Sequence, residues 1–268
     1  MHSASNRNKK TTPLGKMLNE RVTRYNQPAF IPADPICIPH LFSLPQDIEI
    51  AAFFAAILAW GNRTTIISKS RELMRRMDDA PYDFCKNHQP EDVTTLLGFK
   101  HRTFNDTDLL YFMEFLQMHY QTHSSLETAF IPPANSYPSI LHPAEKRLTH
   151  FHRYFFSLED VPNRTRKHIA TPEKGSACKR LNMFLRWMVR QDNKGVDFGI
   201  WKKIPASELI CPIDLHVARV ARKLQLLQRT TTDWQAALEL TEQLKSFDSN
   251  DPVKYDYALF GLGVVEKY

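Results

Sequence analysis

A run of ten consecutive apolar residues, Ala51 to Trp60, constrains the fold of this chain more than any other feature. The segment from Ile48 to Trp60 is apolar nearly all round, and such a helix is stable only when other elements surround it. The run is too short to cross a bilayer, which needs roughly 20 residues. We therefore predict a soluble, non-membrane protein built around a central helix that Asp47 caps.

Apolar residues at helical spacing recur along most of the chain. Only eight glycines and few alternating β-branched runs occur in 268 residues, which leaves little room for a sheet. We predict an all-α fold, with further helices over Thr64 to Met77, Asp106 to Tyr120, Ala144 to Leu158, Lys179 to Arg190, Leu215 to Leu224, Trp234 to Phe247 and Val253 to Leu262. Five prolines between 28 and 45 predict an extended connector, and the polar residues 1–12 predict a flexible arm.

Positive charge is concentrated in one segment. Residues 161–190 hold eight basic residues against one acidic residue, a net charge of +7 in a chain whose total is +6. A basic block of this kind predicts a phosphate-binding surface. An ordinary solvated basic face is the alternative, because moderately basic surfaces are common.

The cysteines and histidines do not indicate a metal site or a disulfide framework. Four cysteines are scattered without a CxxC pair, and the first residues lack the apolar segment of a secretory signal. His119 and His123 are four residues apart but have no evident acidic or cysteine partner. We expect a cytoplasmic, monomeric protein with reduced thiols.

A lysine at a turn-to-helix junction is the first candidate for chemistry. Residues 173–185, EKGSACKRLNMFL, place a turn of small residues before a helix that starts near Lys179. The positive end of a helix, together with Arg180 and Lys174, favours the neutral amine that Schiff-base chemistry needs. The open amides of the turn could hold a phosphate. Without further support, such a lysine is more often an ordinary surface residue.

An aspartate at the start of another helix is the second candidate. Residues 210–224 read ICPIDLHVARVARKL, in which Pro212 ends the preceding chain and Asp214 can cap the next helix. A carboxylate fixed there can stabilise a developing cation. Alone, an aspartate at this place is more often a plain cap, which contributes about 1 kcal/mol.

The second segment resembles the V-D-x-H-V-x-R-V motif of the helix-hairpin-helix DNA glycosylases. This superfamily includes endonuclease III, the adenine-mismatch glycosylases and the 8-oxoguanine glycosylases. Asp214 falls on the catalytic aspartate of the motif, and the other matches are His216, Val217, Arg219 and Val220. The resemblance therefore implies a catalytic role for Asp214.

The family's hairpin, G-x-G-x-K, is matched at Gly175 and Lys179, and its lysine forms the Schiff base in bifunctional members. Ala177 replaces the second glycine, and 35 residues separate Lys179 from Asp214, more than in endonuclease III. Archaeal 8-oxoguanine glycosylases share the unusual hairpin and the long spacing, so they are the closest in layout. No cysteine follows Cys211, so the family's four-cysteine iron–sulfur motif is absent and we expect no cofactor.

The resemblance implies a two-lobed helical fold with a cleft between the lobes. One helical lobe over 46–205 would carry the hairpin and Lys179. Residues 13–45 and 206–268 would form the second lobe, with Asp214. The chain as a whole is also similar to a bacterial family of comparable length that has no assigned activity.

The implied function is removal of a damaged base, such as an oxidised purine, from double-stranded DNA. The enzyme could be bifunctional, with strand cleavage through a Schiff base on Lys179, or monofunctional, with base removal alone. The implied DNA-binding residues are Asn62, Arg164, Arg166, Lys167, Lys174, Gly175, Arg180 and His216. Asn62 would fill the gap left by the flipped base. The candidates to stack on that base are Phe198, Trp201 and Trp187.

Two other functions stay open at this point. The chain could be a nucleic-acid-binding protein of the same fold without catalysis, or the basic segment could bind an acidic protein. Structured RNA is an alternative to DNA. Asn62 could simply break the helix, and His216 could have a structural or capping role.

Overall fold

The computed structural model describes residues 12–268, and these residues are largely helical, as predicted. The α-helices are α1 (Pro13–Tyr25), α2 (Pro45–Leu58), α3 (Arg63–Arg76), α4 (Pro81–Asn87), α5 (Asp106–Thr122), α6 (Pro143–Phe155), α7 (Lys179–Val189), α8 (Leu215–Lys223), α9 (Trp234–Lys245) and α10 (Tyr255–Phe260). A π-helix over Gly261–Val265 continues α10. The strands of the described chain are β1 (Lys100–His101) and β2 (Phe104–Asn105), an antiparallel ribbon that pairs His101 with Phe104.

Helix α2 is the predicted central helix. Every residue from Ile48 to Leu58 is buried, and α2 packs against α3, α4 and α7. The predicted cap is wrong: α2 begins at Pro45, and Asp47 lies in its first turn. Proline suits this first position because its ring fixes the helical φ angle. The Asp47 carboxylate instead accepts a hydrogen bond of 2.8 Å from the Tyr82 amide of α4.

Aromatic rings from four elements interlock around α2. Phe53 stacks on Phe112 of α5 at 5.6 Å between ring centroids, and Phe112 meets Phe155 of α6 edge to face at 4.7 Å. Phe130 stacks on Phe151 at 4.0 Å. Such pairs contribute about 0.5–1.5 kcal/mol beyond their buried area. The aromatic core fixes the position of α2, against which α7 lies.

Glu49 is a buried acid in this core. Its carboxylate accepts hydrogen bonds from the Tyr120 hydroxyl, the Ser125 hydroxyl, the Leu126 amide and the Trp201 indole, at 2.7–2.9 Å. Burial raises the pKa of Glu49, and these donors oppose that rise. One side chain thus joins α2, α5 and the loop that follows α7.

The proline-rich stretch 28–45 differs from the predicted extended connector. It forms three short 3-10 helices over Pro28–Ala33, Pro35–Cys37 and Pro39–Leu41, each with proline at its start. Proline is compatible with a first helical position, and short 3-10 turns are common connectors. The last two turns pack against α2.

The predicted flexible arm falls mainly on residues 1–11, which lie outside the described residues. Thr12 is the N-cap of α1, because its side chain accepts from the Gly15 amide at 3.2 Å.

Helix α1 packs on α10, and α8 packs on α10 and on the π-helix. The division into lobes over 46–205 and over 13–45 with 206–268 stays a prediction. Across residues 12–268, no helix is long and apolar enough to span a membrane.

Candidate active site

Lys179 is the first residue of α7, as the sequence predicts. Gly175 has φ +73° at the end of a single 3-10 turn, Pro172–Lys174, and Cys178 has φ +49° immediately before the helix. Cys178 is therefore the second residue with a left-handed conformation. Ala177, which holds the position of the second glycine in the glycosylase hairpin motif, is not. A left-handed conformation costs a residue with a side chain about 1–2 kcal/mol. Backbone strain is thus located directly beside Lys179.

Asp214 is the N-cap of α8, also as predicted. Its Oδ1 accepts hydrogen bonds from the amides of His216 at 2.9 Å and Val217 at 3.0 Å. These bonds fix the carboxylate at the positive end of α8, where a negative charge is stabilised.

The structure brings the two predicted catalytic residues together. Lys179 Nζ lies 3.9 Å from Asp214 Oδ2, and each side chain is about one-third exposed, 32% for the lysine and 34% for the aspartate. Lys179 Nζ also lies 3.8 Å from Met183 Sδ, one turn further along α7. An amine next to a carboxylate, partly open to solvent, can act as a nucleophile with an electrostatic partner.

The pair lies in a cleft of about 880 Å³. Besides Lys179, four cationic side chains line it: Arg63, Arg180, Arg219 and Lys267. Its carboxylates are Asp214 and Asp34, and apolar walls come from Ala59, Trp60, Ile66, Met183 and Phe260. The cleft therefore combines positive charge, which suits an anionic ligand, with apolar surface, which suits a flat ring.

Several of these residues were missed by the sequence reasoning. Asp34, Phe260 and Lys267 lie far along the chain from both motifs, and no local pattern marks them. Arg63 directly follows Asn62. The predicted contact of Asn62 with DNA therefore indicated this part of the chain, but not Arg63 itself. Arg63 lies over the Phe260 ring at 5.2 Å.

The predicted stacking residues are elsewhere. Trp187 and Trp201 are buried in the core, and Phe198 packs against His40 at 4.3 Å between ring centroids. The aromatic side chains that do line the cleft are Trp60 and Phe260. The expectation that Phe198, Trp201 or Trp187 stacks on a ligand in this cleft is therefore wrong.

Asn62 and His216 lie at helix starts beside the cleft. Asn62 caps α3 by accepting from the Thr65 amide at 3.2 Å, and it is exposed between two lining residues, Gly61 and Arg63. His216 lies in the first turn of α8, is exposed and lines the cleft itself. Both remain candidates for contact with a ligand.

Four of the predicted phosphate-binding residues do not line this cleft. Arg164 donates to the Thr103 carbonyl at 2.8 Å and pairs with Asp108 at 3.2 Å, and Arg166 lies over the Phe156 ring at 5.0 Å. The other two, Lys167 and Lys174, are exposed, and Lys167 lines a neighbouring cavity of about 360 Å³ at the start of α7. Gly175 also lies outside the cleft, where its carbonyl accepts from the Trp234 amide.

Arg180 lines the cleft, but its guanidinium is held by the backbone. Nη1 donates to the Ile57 carbonyl at 2.5 Å, and Nη2 donates to the His168 carbonyl at 3.1 Å. Burial lowers the pKa of Arg180 to about 10. These bonds fasten α7 to the last turn of α2, so they position Lys179.

The last two basic residues of the 161–190 segment are buried in an ion network. Arg186 pairs with Asp197 and Asp256, and Arg190 pairs with Asp197 at 2.9 Å and with Asp251 at 3.0 Å. Burial raises the pKa of Asp256 to about 6, and the charges of Arg186 and Lys179 oppose that rise. Since Arg186 and Arg190 are buried, the segment is neither one continuous phosphate-binding surface nor one continuous solvated face, the two interpretations of its charge in the sequence analysis.

No group of histidine, cysteine and carboxylate side chains suited to a metal ion occurs within the described part of the chain. All four cysteines are free and buried. Burial raises the pKa of Cys178 to about 12, so its thiol is a poor nucleophile although it lies next to Lys179.

Fold and site together define an α-helical protein with a lysine–carboxylate pair in a cationic cleft. The chain belongs to the family described as "Protein of unknown function (DUF2400)", whose model matches residues 34–265. The match includes Asp34, Lys179 and Asp214. No curated protein and no solved structure matches the chain.

Proposed function

We propose that this protein is a DNA base-excision glycosylase of the helix-hairpin-helix type, with lyase activity through Lys179. The observation that carries the proposal is the 3.9 Å approach of Lys179 Nζ to Asp214 Oδ2 inside the cleft. Thirty-five residues separate these side chains in sequence, and they hold the motif positions of a glycosylase nucleophile and its aspartate. A two-lobed division of the helices, with the cleft between the lobes, belongs to the same proposal.

The cleft has the chemistry that an extruded nucleotide requires. Enzymes of this kind must take the target nucleotide out of the base stack before side chains can reach its sugar. Arg63, Arg219 and Lys267 offer positive charge to phosphates, which gives affinity without reading the base. Trp60 and Phe260 offer apolar surface to the base.

The proposed reaction begins at the sugar carbon C1′. The lone pair of the Lys179 amine attacks C1′, and the bond from C1′ to the base nitrogen breaks. The departing base keeps the bonding electrons and takes up a proton. Asp214 Oδ2 stabilises the positive charge that develops at C1′, since its other oxygen is committed to the α8 amides.

Strand cleavage follows from the same lysine adduct. Opening of the sugar ring gives an iminium ion between Nζ and C1′. Loss of a proton from C2′ then expels the phosphate at C3′, which breaks the strand. Borohydride reduces the iminium to a stable amine and so captures the covalent complex.

Borohydride trapping tests the proposal directly. The purified protein is incubated with duplexes that carry 8-oxoguanine, uracil, an oxidised pyrimidine or an abasic site. We expect a covalent adduct on at least the abasic duplex with the parent and none with Lys179→Gln. Lys174→Gln is the matched control, because Lys174 is an exposed lysine five residues away and outside the cleft. It should trap like the parent.

The alternatives predict different results in the same experiment. A binding protein without catalysis would bind the duplexes but form no adduct and release no base. A protein that uses its basic surface for an acidic protein partner would not bind duplex DNA even at low salt. Equal trapping by the parent and Lys179→Gln would contradict the assignment of the nucleophile.

A further inference from the structure

Asp34 is a carboxylate in the cleft that neither motif includes. It precedes Pro35, and the Asp34 amide donates to the Ile31 carbonyl at 3.1 Å. Its Oδ1 accepts from the Ile36 amide at 3.1 Å, which fixes the side chain. The residue is only 8% exposed, yet it lines the cleft.

The second oxygen of Asp34 forms no hydrogen bond and no ion pair with the described part of the chain. Burial raises the pKa of Asp34, and the Ile36 amide and the charges of Arg186, Arg63 and Lys179 oppose that rise, although none of these three side chains pairs with the carboxylate. Arg186 is committed to Asp197 and Asp256. A mostly buried carboxylate that lines a cleft is typical of a functional group.

Asp34 and the Lys179–Asp214 pair line one cleft. Asp34 lies before α2 in the chain, whereas Lys179 and Asp214 begin α7 and α8, and Asp34 forms no ion pair with Lys179. Apolar side chains of Ile66, Met183 and other residues line the same space. A ligand that places a carbon at Lys179 and a flat ring along these walls shares the cleft with the Asp34 carboxylate.

We propose that Asp34 is a specificity-determining residue that hydrogen-bonds an N–H group on the edge of the extruded nucleobase. This inference rests on the proposed glycosylase function and deepens it. One oxygen of Asp34 is already taken by the Ile36 amide, so the free oxygen accepts from one ring N–H or one exocyclic amine. A site that contains only an abasic sugar offers no such group. Asp34 therefore contributes to base removal and not to the reaction of an abasic site.

Two reactions measured on the same variants test this role. One is single-turnover base release from duplexes that carry 8-oxoguanine, uracil or an oxidised pyrimidine. The other is borohydride trapping on an abasic duplex, which requires Lys179 but no base. The variants are Asp34→Asn, which keeps the shape of the side chain, and Asp34→Ala. The control is Asp160→Asn, an exposed aspartate outside the cleft.

We expect base release to fall about 10- to 100-fold in Asp34→Ala, the effect of one lost hydrogen bond. Base release should fall in Asp34→Asn as well. The asparagine NH2 group donates a hydrogen bond, whereas an N–H group of the base needs an acceptor. Trapping on the abasic duplex should stay within about twofold of the parent in both variants, and Asp160→Asn should match the parent in both reactions. Equal melting temperatures would show that the variants fold.

Other results would overturn the inference in distinguishable ways. Parental base release by both Asp34 variants would remove Asp34 from base recognition and leave the glycosylase function standing. Loss of abasic trapping in step with base release would assign Asp34 to the lysine chemistry or to folding. A parent that traps the abasic duplex but releases no tested base would leave Asp34 without the proposed partner. A parent that is inactive in both reactions would overturn the proposed function itself.

Discussion

At the scale of single residues, the two oxygens of Asp214 have different surroundings. Oδ1 bonds the amides of His216 and Val217, whereas Oδ2 faces Lys179. Helix capping therefore falls to one atom of the side chain, and the proposed catalytic role would fall to the other. A substitution that preserves the first atom and changes the second can separate the two roles.

Asp214→Asn is that substitution. Asparagine caps helices about as well as aspartate, so the free energy of unfolding should change by only a few tenths of a kcal/mol, whereas Asp214→Ala should lose about 1 kcal/mol. Both variants should lose base release, because neither has a negative charge beside Lys179. Urea unfolding and single-turnover base release measure the two effects. Parental activity in Asp214→Asn would restrict the carboxylate to capping.

His119 provides a residue-scale prediction about pH. It is fully buried on α5, and burial lowers its pKa to about 4, although its contact with the Ser125 carbonyl opposes that shift. An unfolded histidine takes up a proton near pH 6.5. Between pH 6.5 and 4 the unfolded state therefore binds more protons, and stability falls as the pH falls.

Urea unfolding of the parent and His119→Gln at pH 7 and pH 5 measures this effect. His119 should contribute about 2 kcal/mol to the parent's loss of stability between these two pH values. The variant should be less stable at pH 7, because it loses the buried imidazole, but its dependence on pH should be smaller by that amount. If the free energy of unfolding changed by the same amount between pH 7 and pH 5 in the parent and in His119→Gln, the role of His119 would be contradicted.

At the scale of elements, local sequence signals predicted most helices and several of their first residues, but not every helix boundary. Asp106 and Leu215 begin the helices where the pattern placed them, and Asp214 caps as expected. The cap at Asp47 was wrong because a proline two residues earlier already starts α2. Helices α1 and α4 were not predicted. Periodicity locates a buried face, whereas the first and last residues depend on caps and on tertiary contacts.

Arg180 shows how tertiary contacts change the meaning of a basic residue. Its bonds to the carbonyls of Ile57 and His168 join α7 to α2, so Arg180→Ala should destabilise the protein by about 2–3 kcal/mol. Lys174→Ala, an exposed change in the same segment, should stay within about 0.5 kcal/mol of the parent. Urea unfolding of both variants measures the difference. Equal stabilities would mean that Arg180 does not hold the two helices together.

At the scale of the whole molecule, the resemblance predicted a cleft with Lys179 and Asp214 in it, but not most of the residues that line this cleft. The resemblance of the two motifs to the DNA glycosylases implied that Lys179 and Asp214 lie close together, and Lys179 Nζ lies 3.9 Å from Asp214 Oδ2. Asp34 lies before α2, Arg63 begins α3 and Lys267 follows the π-helix, yet all three line the same cleft. Contacts between residues so far apart in sequence cannot be predicted from a local sequence pattern. The burial of Arg186 and Arg190 in ion pairs was hidden for the same reason.

The position of the cationic side chains leads to a prediction about salt dependence. If DNA lies along the cleft, the side chains that bind its phosphates are Arg63, Arg219 and Lys267, and not the whole 161–190 segment. These contacts release counterions from the DNA. The logarithm of the binding constant falls linearly with the logarithm of salt concentration, and each phosphate contact contributes about one unit to the slope. Lys267→Gln should therefore lower the slope by about one for an abasic-analogue duplex.

Arg166→Gln is the matched control. Arg166 is exposed in the basic segment but lies over the Phe156 ring, outside the cleft. Fluorescence anisotropy between 50 and 200 mM salt, about the range over which phosphate contacts strongly reduce affinity, measures the slope for the parent and both variants. A lower slope for Arg166→Gln alone would place the DNA on the basic segment, as the sequence first suggested, and would leave the cleft cations without a phosphate to bind. Lower slopes for both variants would mean that the bound duplex is long enough to reach both surfaces at once.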